Sequence, residues 1–361
     1  MVDPDFCRRR KLVHRLAVGA VILVLSLVTA LALFEVLYRV QVIDTYAPEL
    51  RTYNPPDQLN NTTGLPTALL MGDSFTAGAG ESYPSQLRRV LPGARIINAA
   101  VPGTGIIQTA IMAGPRFARF RPRVFVYQIY VGNDLFDIRY PKGWGRASVL
   151  RNLYWFVSGR LRSVAFVNYR LSQTRFQRRL AGTERSDPTT IDQPFSPALY
   201  TTRARLYFEA EPGLVNESVL VRGQRARDFA VLVERLRPVL AKCTPGECTA
   251  YVLVIPHCAQ VTPDYLRRFQ VLGATLDSAA MQTTDYPFVA ELRSKLRDLP
   301  NVTVLNPIIV LRKSEESGMP VYHSNDDHLN STGNRVLEHF LAPQLATSLG
   351  LTLAPERQDP H

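Results

Sequence analysis

The sequence predicts an α/β fold, an open α/β sandwich with a central parallel sheet. From residue 67 onward, short segments rich in Val, Ile and Leu alternate with longer helical patterns. The short segments lack a polar–apolar alternation, which is typical of parallel strands buried on both faces. Polar residues follow the ends of the first three segments, where open α/β sheets bind ligands. An apolar content of 46% and a charged content of 20% are those of a folded protein.

The N-terminal segment predicts a membrane anchor. Residues 1–15 form a basic arm that contains Arg8, Arg9, Arg10 and Lys11, and an uncharged apolar run covers residues 16–34. A helix needs about 20 such residues to cross a bilayer, so we predict a transmembrane helix at 16–38. A buried soluble helix is disfavoured because the run has no polar face. A cleaved signal peptide stays open, because residues 30–32 have the small-x-small form of a cleavage site.

The charge flanking this helix predicts its orientation. Basic residues next to a membrane helix stay in the cytoplasm, so the arm is expected inside the cell. The chain is therefore predicted to be a single-pass membrane protein whose folded domain lies on the periplasmic or extracellular side.

After the anchor, the chain divides into four predicted parts. Residues 39–66 are polar and punctuated by proline, and we expect a linker that acts as a spacer between membrane and domain. Residues 67–349 form the α/β domain, residues 138–225 are an insertion in it, and residues 350–361 are a C-terminal tail. Predicted strands are 68–71, 95–99, 124–130, 251–255 and 302–305. Predicted helices are 83–91, 105–120, 226–242, 264–280, 288–296 and 332–349.

The insertion carries most of the excess positive charge. The whole chain has a formal net charge of +11, and within 138–225 Lys and Arg far outnumber Asp and Glu, with arginines interleaved among aromatic residues at 150–180. One interpretation is a helical cap over the ligand-binding edge that contacts an anionic polymer or anionic lipid. The alternative is a solvated basic face on an ordinary helical subdomain. Nucleic-acid binding is disfavoured, since no known module is present and the domain is expected outside the cytoplasm.

Three cysteines are expected on the oxidising side of the membrane. Cys243 and Cys248 bracket a Pro-Gly turn, and a disulfide between them is plausible. Cys258 is left over in that pairing, so the sequence leaves the pairing open. A zinc site at Cys258 and the adjacent His257 is a second interpretation, but it lacks a convincing second pair of ligands.

Four polar blocks follow one another along the domain. They are Gly72-Asp73-Ser74 after the first predicted strand, residues 98–103 after the second, Gly132-Asn133-Asp134 after the third, and residues 325–330 near the C-terminus. In this order they resemble the four blocks of the SGNH (GDSL-type) hydrolase superfamily. The resemblance covers residues 67–349 apart from the insertion. It implies the SGNH hydrolase fold, a flavodoxin-like three-layer α/β/α sandwich with a central parallel sheet.

The resemblance implies a serine nucleophile at Ser74. The alternative for this residue is a helix N-cap serine. The backbone N–H groups of Ser74 and Gly103 and the side-chain amide of Asn133 would then form the oxyanion hole. Asp73, which precedes the serine, suits a turn-stabilising role.

The fourth block implies that His328 is the general base, with His323 as a competitor. The usual acid three residues before the histidine is replaced here by Asn325. Some branches, including polysaccharide O-acetyltransferases, use an Asp-x-His spacing instead, which points to Asp326 as the residue that orients His328. Asp327 remains the alternative for that role.

The resemblance also implies an activity. We expect a serine esterase or O-acyltransferase that needs no metal or organic cofactor and acts on short acyl esters of cell-envelope carbohydrate. Two alternatives remain open at this point. One is a catalytically lapsed carbohydrate-binding or scaffold protein of an envelope assembly complex, and the other is a lipid esterase.

Overall fold

A computed structural model describes residues 4–60, 64–138, 153, 156–174, 189–200, 208 and 211–353. The chain begins with a long helix, α1 (Pro4–Val40), followed by two short helices, α2 (Ala47–Tyr53) and α3 (Pro56–Asn60). The α/β domain comes next.

A five-stranded parallel sheet forms the centre of the domain. Its strands are β1 (Thr67–Met71), β2 (Arg95–Asn98), β3 (Val124–Tyr130), β4 (Thr249–Ile255) and β5 (Val302–Leu305). Their order is β2-β1-β3-β4-β5, and each neighbouring pair is parallel. This is the flavodoxin-like order, in which the chain changes direction between β1 and β3. Every residue of β1, β2 and β3 is buried, which explains why their sequences do not alternate.

Helices cover both faces of the sheet, which confirms the predicted α/β class. One layer contains α4 (Tyr83–Val90), α13 (Ile308–Glu316) and α14 (Ser331–Leu349), and the other contains α5 (Ile106–Phe120), α9 (Gly223–Leu240) and α12 (Pro287–Leu296). Further helices are α6 (Asp134–Ile138), α7 (Arg162–Ser172), α8 (Leu214–Leu220), α10 (Pro263–Val271) and α11 (Ser278–Met281).

The helix predicted at 264–280 is two helices, so this prediction is wrong in its length. Gly273 has a φ of +100°, which ends α10 and leads into a connection before α11. The side chain of Asp277 then caps α11 by accepting hydrogen bonds from the backbone N–H groups of Ala279 and Ala280.

The N-terminal helix is a candidate membrane span. Residues His14–Val40 have a hydropathy of 2.7, and the apolar window in this segment is not buried within the protein. A helix of this length is long enough to cross a bilayer. By length and composition it fits a membrane anchor or a signal sequence, and the predicted orientation stays a prediction.

The segment predicted as a spacer is packed against the domain. Tyr46, Leu50 and Asn54 are buried. Asp44 pairs with the buried Arg116 of α5 through Oδ1 at 2.8 Å, and Arg88 of α4 donates to Asn54 Oδ1 at 2.6 Å. The spacer interpretation is therefore wrong for residues 44–60, because their aromatic, apolar and polar side chains find partners on the domain surface.

The described parts of the insertion lie in three places. Helix α7 packs on α1, residues 189–200 reach the loop that carries the fourth polar block, and α8 packs on α9, α11 and α12. Helix α7 therefore does not form the predicted cap over the ligand-binding edge. The insertion residues 139–152, 154–155, 175–188, 201–207 and 209–210 lie outside the described residues.

The structure settles the cysteine pairing that the sequence left open. Cys243 and Cys248 are bonded, and Cys258 is a buried free thiol. His257 is buried next to it, and its Nδ1 accepts a hydrogen bond from the backbone N–H of Ala259. Burial lowers the pKa of His257 to about 3, so this imidazole stays neutral within the core.

Candidate active site

The turn after β1 holds Ser74 at the carboxyl edge of the sheet. A Cβ atom at Gly72 would lie 2.4 Å from Gln128 Oε1, so a side chain there would displace the buried Gln128 from its hydrogen bond with the backbone N–H of Asp73. Asp73 is buried and its carboxylate accepts from the backbone N–H of Phe75 at 2.9 Å. The predicted turn-stabilising contact of Asp73 is therefore present, and the Ser74 side chain carries no capping bond to α4.

The structure brings Ser74, His328 and Asp326 together. Ser74 Oγ lies 2.7 Å from His328 Nε2, and Asp326 Oδ1 lies 2.5 Å from His328 Nδ1. The same carboxylate oxygen accepts from the backbone N–H of His328 at 2.9 Å. The imidazole is thus held at both nitrogens, in an arrangement in which a histidine can take the serine proton and a carboxylate can stabilise the imidazolium.

Local structure around His328 fixes its position. Tyr322 and Leu329 form an antiparallel bridge, and the N–H of His323 donates to the carbonyl oxygen of His328 at 3.0 Å. Asn330 caps α14 by accepting from the N–H of Gly333 at 2.9 Å. A Cβ at Gly333 would lie 2.1 Å from the carbonyl oxygen of Val321, so the glycine lets α14 approach this hairpin.

The charges in this group favour a strong imidazolium–carboxylate pair. Burial alone would lower the pKa of His328, but the charge and hydrogen bond of Asp326 outweigh it and raise that pKa to about 9. Burial alone would raise the pKa of Asp326, but the charge and hydrogen bonds of His328 hold it well below its usual range. Asp326 is therefore ionised at neutral pH.

The two candidate acids differ in their contacts. Asp327 Oδ1 lies 3.5 Å from His328 Nδ1, and its Oδ2 accepts from the hydroxyl of Tyr130 at 3.2 Å. Burial raises the pKa of Asp327 to about 6. Asp326 therefore makes the shorter contact with the His328 imidazole, and Asp327 bonds to Tyr130.

Asn325 does not face the imidazole. Its side chain is buried and bonds to the backbone of the insertion: its amide donates to the carbonyl oxygens of Thr190 and Gln193, and its Oδ1 accepts from the N–H of Ser196. The departure from the usual acid at this position therefore serves to fasten residues 190–196 beside the site.

The predicted oxyanion-hole residues lie on the loops after β1, β2 and β3. Among the described residues, none accepts a hydrogen bond from the backbone N–H of Ser74 or of Gly103. Gly103 is exposed and has a φ of +68°. Asn133 Nδ2 lies 3.4 Å from Asp73 Oδ2, a long contact that turns the amide toward the Ser74 turn. Because β1 neighbours both β2 and β3, the loops that carry these residues lie at the same edge of the sheet.

Phe75 and Tyr130 form an aromatic wall that the sequence analysis missed. The Phe75 ring stacks on the His328 imidazole with a centroid distance of 4.7 Å, and the Tyr130 ring lies 3.9 Å from Phe75 on its other side. The wall limits rotation of the imidazole and excludes water from one of its faces. The signal for Phe75 was its position directly after the serine, whereas nothing in the sequence marked Tyr130.

A cavity of about 440 Å³ opens beside Ser74 and His328. His323 lines it together with Asp192 of the insertion, and His323 Nδ1 lies 2.8 Å from Asp192 Oδ1. His323 therefore belongs to the same cavity but does not bond to Ser74. The other lining residues are Phe75, Ala77, Ala79, Glu81, Ser82, Leu329, Asn330, Ser331 and Asn334.

Among the described residues, one group of side chains is close enough together to hold a metal ion. It consists of Asp326, Asp327 and His328, whose ligand atoms lie within 4.8 Å of one another. Both nitrogens of His328 are already engaged, one by Ser74 and one by Asp326. An ion would have to displace one of those contacts, so this donor set fits a hydrogen-bonded triad better than a metal centre.

Comparison with known proteins gave only distant likenesses. No family model matches the chain, and neither does any curated protein. Among solved structures, the chain is similar to Axe2, an acetylxylan esterase from Geobacillus stearothermophilus, with 10% sequence identity and a TM-score of 0.34 over 80% of this chain and 95% of that chain. It is also similar to an alpha/beta hydrolase enzyme from the metagenome of Lake Arreo, Spain, with 12% identity and a TM-score of 0.36 over 79% and 95% of the two chains. Likenesses with TM-scores this low carry no argument about activity.

Proposed function

We propose that this chain is a membrane-anchored serine esterase or O-acyltransferase in which Ser74, His328 and Asp326 act as a catalytic triad. The observation that carries the proposal is the distance of 2.7 Å between Ser74 Oγ and His328 Nε2, with Asp326 on the opposite ring nitrogen. A serine hydroxyl becomes a useful nucleophile when such a base is in reach.

The reaction proceeds in two halves. Ser74 Oγ attacks the ester carbonyl carbon while His328 Nε2 takes the hydroxyl proton, and Asp326 stabilises the imidazolium. The backbone N–H groups of Ser74 and Gly103 and the amide of Asn133 hold the negative oxygen of the tetrahedral intermediate. When the carbon–oxygen bond of the ester breaks, His328 returns the proton to the leaving alcohol and an acyl group stays on Ser74.

The second half removes the acyl group. A water molecule or a sugar hydroxyl gives its proton to His328 and attacks the acyl carbon. When the bond between the acyl carbon and Ser74 Oγ breaks, His328 returns the proton to Ser74 Oγ, and an acid or a new ester leaves. Hydrolysis and acyl transfer share this intermediate and differ in the acceptor. The substrate class, short acyl esters of cell-envelope carbohydrate, follows from the resemblance of the four polar blocks to SGNH hydrolases.

The direct test is hydrolysis of p-nitrophenyl acetate by the purified full chain. We expect p-nitrophenol release that Ser74→Ala abolishes. Ser331→Ala is the matched control, because this exposed serine lines the same cavity and is expected to leave the rate unchanged. Equal rates in the wild type and Ser74→Ala would overturn the proposal and favour the carbohydrate-binding scaffold instead.

A second measurement separates hydrolysis from transfer. The acylated protein is mixed with an unacetylated envelope polysaccharide, and the products are followed by mass spectrometry. Acetate alone indicates an esterase, whereas acetylated polysaccharide indicates a transferase.

A further inference from the structure

A carboxylate on the candidate membrane helix caps helix α7 of the insertion. Glu35 follows the apolar run of α1, and its side chain is 9% exposed. It accepts from the backbone N–H groups of Arg162 and Ser163 at 2.9 and 2.8 Å and from the Ser163 hydroxyl at 2.6 Å. These N–H groups are the unpaired donors at the start of α7, so Glu35 acts as an N-cap supplied by another helix.

Aromatic packing fixes the same joint. The Phe166 ring of α7 stacks on Tyr38 of α1 at a centroid distance of 5.1 Å and lies 6.4 Å from Phe34. Arg39 also donates to the carbonyl oxygen of Arg160 at 2.9 Å. These contacts join α7 and the residues just before it to α1 at residues 34–39.

This position sets the height of α7 relative to a bilayer. The uncharged run of α1 covers residues 16–34, and at about 1.5 Å per residue it spans roughly the ~30 Å of a hydrocarbon core. The next turn of α1, residues 35–39, then falls in the headgroup layer. Because α7 is fastened to this turn, α7 lies at the same level.

The surface around this joint exposes large apolar side chains. Val42 and Ile43 directly follow α1, and Val167 and Leu171 lie four residues apart on one face of α7. Together with Leu153 and Phe156, these side chains are 41% to 73% exposed. We call these six residues the docking surface. Exposed apolar side chains beside the end of a membrane helix mark an interaction site rather than ordinary protein surface.

The charges beside the docking surface match an anionic membrane. Residues 151–183 contain no Asp or Glu. The Arg160 guanidinium lies 3.5 Å from the centre of the exposed Phe156 ring, and the Arg39 side chain is half exposed. Arginines next to exposed apolar residues are typical of segments that lie in a membrane interface.

We propose that the docking surface is seated in the headgroup layer of an anionic phospholipid bilayer, beside the point where α1 leaves it. The domain is then held against the membrane in one orientation by α7 and the packed segment 44–60. The proposal depends on α1 crossing the bilayer and is independent of the chemistry at Ser74.

The test uses the full chain in nanodiscs of phosphatidylglycerol and phosphatidylcholine, with or without brominated acyl chains, which quench tryptophan emission on contact. Both native tryptophans are replaced in every variant, by Trp144→Phe and Trp155→Phe, so that the introduced tryptophan is the one that emits. Val167→Trp reports on the docking surface, and Val271→Trp is the matched control, because Val271 is an exposed valine of α10 outside that surface.

We expect brominated lipid to remove most of the emission of the Val167→Trp protein and to leave that of the Val271→Trp protein unchanged. Adding Glu35→Ala is expected to restore much of the lost emission while the chain stays in the nanodisc, because α7 loses its cap. Equal emission of the Val167→Trp protein in both lipids would overturn the proposal. The proposal would also be overturned if the nanodiscs held two copies of the chain and residue 167 were shielded from lipid, because a second copy would then occupy the docking surface.

Discussion

Replacing Asp326 by Asn tests which carboxylate orients His328. The substitution keeps the size of the side chain but removes the charge that lies 2.5 Å from Nδ1. It also offers Nδ1 an amide that can donate, which favours the wrong tautomer of the imidazole. Because a base in the wrong tautomer cannot take the serine proton, we expect the rate of ester cleavage to fall.

The magnitude follows from the pKa of His328. Its rise from 6.5 to about 9 corresponds to roughly 3 kcal/mol of imidazolium stabilisation. The side chain is 40% exposed, so solvent screening reduces the contribution to about 2 kcal/mol, or roughly 30-fold in rate. The wrong tautomer adds to this loss. We therefore expect kcat/KM to fall by roughly 10²–10⁴.

Asp327→Asn is the matched control, one residue away. Asp327 Oδ1 lies 3.5 Å from Nδ1, and the substituted amide can still accept from the Tyr130 hydroxyl. We expect kcat/KM to fall by less than roughly tenfold. The assay is the initial rate of p-nitrophenyl acetate hydrolysis across pH 5–10, which also gives the apparent pKa of the base.

In Asp326→Asn, the apparent pKa is expected to move to a lower pH, a change that general loosening of the fold does not produce. A larger loss in Asp327→Asn than in Asp326→Asn would refute the reasoning and make Asp327 the orienting acid.

Four further expectations follow from the geometry. His328 must be neutral to act as a base and its pKa is raised to about 9, so kcat/KM should rise with pH until about pH 9. The raised pKa also stabilises the folded protein. This contribution to the free energy of unfolding is fully present below pH 6.5 and is lost as the pH rises through about 9, which should lower the melting temperature. His323→Ala should keep most of the activity that His328→Ala abolishes, and the reverse result would make His323 the base. The Cys243–Cys248 disulfide closes a short loop, so its reduction should lower the free energy of unfolding by about 2 kcal/mol. Urea denaturation measures this, and an unchanged midpoint would contradict it. Gly72→Ala should reduce activity sharply, because its Cβ would meet Gln128 at 2.4 Å and shift the Ser74 turn, and a wild-type rate would show that the turn tolerates the change.

The sequence allowed the sheet and the core of the site to be predicted. Five apolar runs became the five strands. Four of them are buried, as parallel strands covered on both faces are, and the edge strand β5 is only partly buried. Ser74 and His328 lie within bonding distance as expected, and Asp326 rather than Asp327 makes the shorter contact with the ring.

The features that were missed depend on contacts between distant parts of the chain. The pairing of His323 with Asp192 joins the C-terminal loop to the insertion, and no spacing in the sequence marks it. Glu35 looked like the end of an apolar run, yet it caps α7 more than a hundred residues later. The break between α10 and α11 did have a local signal, since Gly273 lies at the point where the helix ends.

The central claim is that Ser74 is a nucleophile activated by His328, and covalent trapping tests it most directly. The full chain is treated with a fluorophosphonate ester, and modified peptides are identified by mass spectrometry. We predict a phosphonyl group on Ser74 in the wild type, none in Ser74→Ala, and much slower labelling in His328→Ala. Absence of labelling at Ser74 in the folded wild-type protein, or equal labelling rates in the wild type and His328→Ala, would contradict the claim.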